Sequence, residues 1–364
     1  MSILLVIIIL VVLILVHEAG HFVAAKFLGV RVEEFGVGYP PRAFTIFRSR
    51  ETEYTINWLP FGGFVRLFGE DPTRAVSAGE RKISFSGASR SAQALILIAG
   101  VAANMVFAWA LYTGGLMSGM PTAVTPHTPG AQLMISAVVP NSPAEKAGLL
   151  PGDQLMSVID RTGRGVPELS AQAVMEFTSE RGGEPLELTY RRGESIASAT
   201  IIPAHAVLEE ASGRPALGIS LTSVANKRLS LTGAMVEAVQ QTTNAFTTVL
   251  FGLYHLAKDA LTGGANLASV VGPVGLVTIV GDATGYGLGY VLGLAAFISV
   301  NLAIINLLPI PALDGGRLVF VAIESITRRV TPRVLFQVLN TVGFALILLL
   351  MLAVTYNDIV RIAG

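Results

Sequence analysis

Four apolar stretches, each close to the ~20 residues a helix needs to cross a bilayer, constrain this 364-residue chain more than anything else in its sequence. They run over 3–25, 94–116, 288–308 and 335–354. Within lipid every backbone N–H and C=O must be satisfied internally, so the four stretches predict four transmembrane helices. The first has the apolar length of a signal-peptide core. No basic residue precedes His17, however, and the pattern continues helically to Ala25, so a retained span is expected. A composition of 52% hydrophobic and 14% charged residues agrees with a polytopic membrane protein. A formal net charge of zero leaves no basic surface for nucleic acid. The absence of cysteine excludes disulfides and thiolate metal sites, so any metal must be held by His, Asp or Glu.

Charge orients the spans. Lys26, Arg31, Arg42, Arg48, Arg66, Arg81, Lys82 and Arg90 lie between the first two, and Arg317, Arg328, Arg329 and Arg333 between the last two. By the positive-inside bias both loops are cytoplasmic and the N-terminus is outside. Between residues 231 and 262, Met235, Val239, Phe246, Val249, Leu250, Leu253, Leu256 and Leu261 recur near helical spacing among many polar residues. That pattern predicts an amphipathic helix lying on the membrane surface.

The stretch 120–225 has a different character, with turn signals at Pro151-Gly152 and Arg192-Gly193 between short β-type runs. Its segment "VVPNSPAEKAGLLPGDQLMSVID" (138–160) resembles a PDZ domain: a strand, a short helix ending at Gly148, then the Gly152-Asp153 turn into another strand. "ALGIS" (216–220) resembles the loop of such domains that receives a peptide C-terminus on backbone N–H groups, which implies Leu217, Gly218 and Ile219 as groove residues. A generic β-rich spacer is the alternative reading. The expected architecture is a polytopic α-helical membrane protein with four transmembrane helices, a membrane-associated β-hairpin region and one inserted extracytoplasmic PDZ domain. It divides into an N-terminal membrane domain (1–119), the PDZ domain (120–225), an amphipathic helix and linker (226–286) and a C-terminal membrane domain (287–364).

The first span carries "HEAGH", His17 to His21, where ionisable groups are most costly to bury. On a helix, positions i and i+4 share a face, so both imidazoles can hold one Zn²⁺ while Glu18 stays within reach of an attacking water. Catalytic zinc generally takes a third protein ligand, and "NLAIINLLPIPALDGGRL" (301–318) offers Asp314. Pro309 and Pro311 break the helix before it, which membranes tolerate only where the backbone lines a protein-enclosed or wet cavity. Depth then fixes the span count. His17 lies roughly 22 Å into a helix descending from outside, and Asp314 reaches that level only if the third span also runs outside to inside. Residues 231–262 therefore should not cross.

Together these features resemble the site-2 proteases, intramembrane zinc metalloproteases, in their bacterial RseP-like branch with one PDZ domain. "LPFGGFVRLFGED" (59–71), "FSGASRSAQALILIAGVAANMVFA" (85–108) and "GPVGL" (272–276) resemble further segments of that family. The family usually has Gly-Pro before the asparagine of the second span, where this chain has Gly100-Val101 before Asn104. The resemblance implies Zn²⁺ on His17, His21 and Asp314, Glu18 as catalytic base, and Asn306 at the substrate backbone or its developing oxyanion. It implies a multi-pass protein of the bacterial inner membrane, with the active site toward the cytoplasmic side. Substrates would be single-span membrane proteins, of anti-sigma-factor or remnant-signal-peptide type, with peptide C-termini as candidate PDZ ligands. Residues 53–67, "EYTINWLPFGGFVRL", suggest a membrane-associated hairpin turning at Gly62-Gly63, whose edge pairs with an unwound substrate; an ordinary solvent-facing hairpin shows the same pattern. Three further alternatives stand: a transporter with an intramembrane proton relay, a catalytically inactive membrane PDZ scaffold, and a different membrane zincin with a downstream glutamate ligand, which would leave the Pro-x-Pro-x-x-Asp-Gly segment without a role.

Overall fold

The first apolar stretch forms one long helix, α1 (Ser2–Phe27), unbroken through the HEAGH motif. The computed structural model describes residues 2–71, 76–126, 128–139, 141–193, 195–205, 214–226, 228–262, 271–329 and 331–363. Pro140 of the PDZ-like segment and residues 263–270 of the expected linker lie outside them. Two compact units result: residues 1–114, 231–283 and 291–364 form one, and 115–230 with 284–290 the other.

In the first unit α1 is followed by β1 (Val32–Ser49) and β2 (Thr52–Leu67), which pair antiparallel with repeated register shifts. The shifts arise because both strands fold back on themselves. Phe35 faces Val65 on one side and Tyr54 on the other, while Thr45 faces Thr55. The segment 32–37 is thus central, and 63–67 and 42–49 form the edges. Arg50 adopts φ 53° where Ser49 meets Thr52, and Gly62 adopts φ 89° in the second reversal, near the turn the sequence suggests. Tyr39, Phe44, Ile46, Phe47 and Trp58 are exposed, an apolar surface suited to lipid rather than water.

Helix α2 (Arg90–Ser118) crosses α1 closely, since an added methyl at Gly20 would lie 2.8 Å from the Ala103 side chain. Small residues at such crossings let two membrane helices approach and gain packing contacts. Later in the chain come α7 (Leu288–Leu307), α8 (Asp314–Thr327) and α9 (Arg333–Ala363). Among the described residues four helices are long and apolar enough to cross a membrane: Ser2–Phe27, Arg90–Ser118, Leu288–Leu307 and Val334–Val360.

Helix α5 (Leu231–Thr262) is not among the four. Its buried face is Ala234, Ala238, Thr242, Ala245 and Val249, whereas Met235, Val239, Leu250 and Leu261 of the expected apolar stripe are exposed. Small side chains let α5 pack closely, and the indole N–H of Trp109 donates to the Met235 carbonyl at 3.0 Å. Helix α6 (Pro273–Gly285) has its first turn held by α9: the buried Asp358 carboxylate accepts from the N–H of Gly275 at 2.7 Å and of Gly272 at 3.2 Å. A carboxylate at a helix N-terminus satisfies orphan donors and complements the dipole.

The second unit is built on a six-stranded sheet in the order β3 (Pro121–Ala123), β8 (Ile219–Asn226), β4 (Gln132–Val138), β5 (Gln154–Asp160), β6 (Leu186–Arg192) and β7 (Ser195–Ile201). Between β4 and β5 lies α3 (Pro143–Lys146), whose Ser142 cap accepts from the Glu145 N–H while the Glu145 carboxylate accepts from the Asn141 N–H. The Ser142 cap satisfies one free N–H of the first turn and Glu145 braces the residue before it, in the strand–helix–strand order expected from the sequence. Asp153, 1% exposed, takes the Leu150 N–H and two bonds from Arg192 at 2.7 Å, fixing the turn into β5. Helix α4 (Ala171–Ser179) and β8 flank a cavity of about 390 Å³ lined by Val174, Met175, Leu217, Gly218, Ile219 and Leu221.

Candidate metal centre

Three side chains separated by nearly 300 residues converge in the first unit. His17 and His21 project from one face of α1, and the Asp314 carboxylate reaches both: its Oδ2 lies 2.8 Å from His17 Nε2 and 3.1 Å from His21 Nε2. The two Nε2 atoms are 3.1 Å apart, and the rings meet edge to face at 85°. Both histidines are buried. Donor atoms about 3 Å apart match the spacing of ligands that sit ~2.0–2.2 Å from one tetrahedral zinc. Two imidazoles and one carboxylate are a donor set suited to catalytic zinc, with a fourth position left for substrate or water, and the residues present fit a zinc ion.

Asp314 reaches this point because α7 cannot continue past Leu307. Pro309 and Pro311 lack the N–H a helix requires, Ala312 takes φ 78°, and the chain re-enters a helix at Asp314. The turn is held by α9, where the Asn340 side chain accepts the Ala312 N–H at 3.0 Å. Gly315 and Gly316 follow, each without room for a side chain against the carbonyls of Leu307, Leu308 and Ile310. One turn into α8, Arg317 pairs with Glu70, which also accepts the Leu67 N–H at 3.0 Å and so ties α8 to the end of β2.

Glu18 is held from the sheet: its Oε2 accepts the backbone N–H of Val65 at 2.9 Å. Val65 belongs to an edge segment, so this N–H is turned outward to α1. Gly62 and Gly63 make the approach possible, because added methyls there would lie 3.3 Å from Ile14 and 3.0 Å from Leu15. Asn306 stands on the last turn of α7 with its amide nitrogen 3.4 Å from His17 Nε2. Leu217, Gly218 and Ile219 lie apart from this group, in the PDZ-like unit. Leu217 is 3% exposed and part of its core, and Gly218, at φ 82°, forms the bend before β8.

Sequence reasoning did not find Val65, whose contribution is a backbone group, or the face of α2 that meets the histidines. His21 Nδ1–H donates to the Ile96 carbonyl at 2.7 Å, and Gly100 lies directly against both rings. The only signal for that face was Gly100 and Asn104 four residues apart in an otherwise apolar span.

Apolar spans enclosing two histidines, a carboxylate pair and a helix-breaking Pro-x-Pro segment define a membrane-embedded metallohydrolase. Residues 5–350 match the model of Peptidase family M50, and the chain belongs to this family, the site-2 proteases, as a zinc-dependent intramembrane protease. A Clostridium perfringens protein provisionally named a zinc metalloprotease is 34% identical over 96% of this chain and 95% of its own length. The zinc metalloprotease RasP of Oceanobacillus iheyensis is 27% identical over 96% of this chain and 97% of its own. A solved PDZ domain of an SdrC-like protein from Listeria monocytogenes is similar over 28% of this chain and 93% of its own, with 22% identity and a TM-score of 0.21.

Proposed function

We propose that the chain cleaves a peptide bond within the transmembrane segment of single-span membrane proteins, using zinc held by His17, His21 and Asp314. The observation carrying this reading is the convergence of those three donors beside Glu18. When bound, zinc supplies Lewis-acid polarisation of the scissile carbonyl and a nucleophile at neutral pH. Glu18 takes a proton from the attacking water and passes it to the leaving amine. The Val65 N–H fixes one carboxylate oxygen of Glu18, leaving the other to face the reacting atoms. Asn306 directs its amide N–H toward the oxyanion that develops as the carbonyl becomes tetrahedral.

A helical substrate hides its carbonyls in hydrogen bonds and must unwind before attack. Pairing with the hairpin over residues 53–67 is the means we favour, because Val65 ties that hairpin directly to Glu18. The basic loops support an inner-membrane protein with N-terminus and PDZ domain extracytoplasmic. The apolar groove between α4 and β8 suits a peptide C-terminus. Substrates of anti-sigma-factor or remnant-signal-peptide type fit this arrangement, within regulated intramembrane proteolysis.

The test is zinc content and cleavage of a model single-span substrate by the wild type, Glu18→Gln and Asp314→Asn. Glu18→Gln retains zinc and loses about 10²–10⁴ in rate; Asp314→Asn loses both. Zinc-free wild type, or a cleaving Glu18→Gln, overturns the reading.

A further inference from the structure

One face of α2 seats both imidazoles through three positions four residues apart. At Ile96 the backbone carbonyl accepts His21 Nδ1–H at 2.7 Å. At Gly100 an added methyl would lie 2.5 Å from His21 Nε2 and 2.8 Å from His17 Cε1, so only a glycine lets α2 bear on both rings. At Asn104, fully buried, the side-chain amide nitrogen lies 3.3 Å from His17 Nδ1 while the amide oxygen has no hydrogen-bond partner. The Ser299 hydroxyl donates to the Asn104 backbone carbonyl at 2.9 Å, fixing this point of α2 against α7.

The two rings are therefore served differently. A carbonyl can only accept, so Ile96 obliges His21 to carry its proton on Nδ1 and present a bare Nε2. An amide can accept or donate according to which end faces the ring. With its nitrogen toward Nδ1, Asn104 favours the His17 tautomer that has a proton on Nε2, where that proton donates to Asp314. With its oxygen toward Nδ1, reached by a half-turn about the last side-chain bond, it favours the tautomer whose Nε2 lone pair is free. We infer that Asn104 is the positioning residue for His17, its amide oxygen accepting Nδ1–H so that both histidines offer an unprotonated Nε2 to one zinc ion. The inference rests on the reading of His17 and His21 as ligands. Outer partners of this kind orient metal-bound imidazoles and raise their basicity.

The test is zinc affinity of the purified full-length chain, read by competition with a chromophoric chelator, with thermal unfolding of the zinc-free protein as the control for folding. Asn104→Leu keeps the volume and removes the acceptor; its zinc affinity is expected to fall 10–100-fold, the usual range for losing such a partner. Asn104→Asp keeps an acceptor oxygen and is expected to stay within about threefold of wild type, well short of that range. A purely structural role predicts the opposite order, since leucine is easier to bury there than a carboxylate. Asn104→Ser, too short to reach the ring, carries the same prediction as leucine should the leucine variant fail to fold. Wild-type affinity in both Asn104→Leu and Asn104→Ser overturns the inference, as does an equal loss in Asn104→Asp. A wild type that binds no zinc instead overturns the ligand reading beneath it.

Discussion

Gly315 has no space for even a methyl group, because an added Cβ would press on the carbonyls of Leu307 and Leu308. Neither carbonyl can move without shifting the end of α7, so the strain of Gly315→Ala falls on its neighbour Asp314. Overpacking against fixed atoms costs about 1–3 kcal/mol. Gly315→Ala is expected to fold but to lose zinc at least tenfold more readily than wild type in a chelator titration, a difference of about 1.4 kcal/mol; unchanged zinc retention would show that the turn is not what holds the carboxylate. At this scale the sequence was informative where chemistry is carried by side chains. The i, i+4 spacing of His17 and His21 puts both on one helical face, and Asp314 stands out because prolines prepare its turn. It was silent on the Ile96 carbonyl and the Val65 N–H, since every residue carries the same backbone groups and only the fold aims them.

The sheet presents its 63–67 edge to Glu18, and proline can separate that contact from the sheet itself. Proline is tolerated on edge strands where the missing N–H faces away from the neighbouring strand, which is the case at Val65. Val65→Pro should therefore keep the fold and its zinc while cleavage falls roughly 10–100-fold, the worth of a hydrogen bond to a charged group. Loss of zinc together with activity would indicate a collapsed sheet. In the PDZ-like unit, Asp160 offers a pH test. The Thr162 hydroxyl first, then Arg181 and the N–H groups of Thr162 and Arg164, hold its carboxyl at about 2 rather than the ordinary 3.8. A lowered value in the folded state means that unfolding takes up protons across this interval. The stabilisation is complete above pH 4 and is lost as pH falls toward 2. Thr162→Val should raise the folded value and flatten that dependence, measured as protease susceptibility of residues 120–225 between pH 5 and pH 2. A profile unchanged from wild type would mean that the hydroxyl contributes nothing. Neither strand edge was readable from alternation alone, because the double folding of β1 and β2 depends on which segments pair.

Across the whole molecule the four helices long and apolar enough to cross a membrane were legible, and so was the pairing of His17 with Asp314. The helices follow from length and hydropathy, which a bilayer enforces without regard to tertiary detail. The face that α5 packs against the protein was not legible, because the amphipathic pattern marked the bulky apolar stripe and gave no signal that the mostly small residues Ala234, Ala238, Thr242 and Ala245 would be the buried ones. That helix is also where the orientation of the chain is most open to test. If α5 lies on the outer surface, Gln172 and Lys258 are both extracytoplasmic, while Lys82 and Arg329 are cytoplasmic. If α5 crosses, Lys258 moves to the cytoplasm and the following span reverses, taking Asp314 away from the histidines. The chain contains no cysteine, so a single cysteine at each of these exposed positions reports its side without background. In intact cells stripped of any outer barrier, a membrane-impermeant maleimide should label Gln172→Cys and Lys258→Cys. Lys82→Cys and Arg329→Cys should label only after permeabilisation. Labelling of Lys258→Cys only after permeabilisation, in a protein that still cleaves its substrate, would refute the four-span topology, because the proposed zinc site needs His17, His21 and Asp314 at one depth.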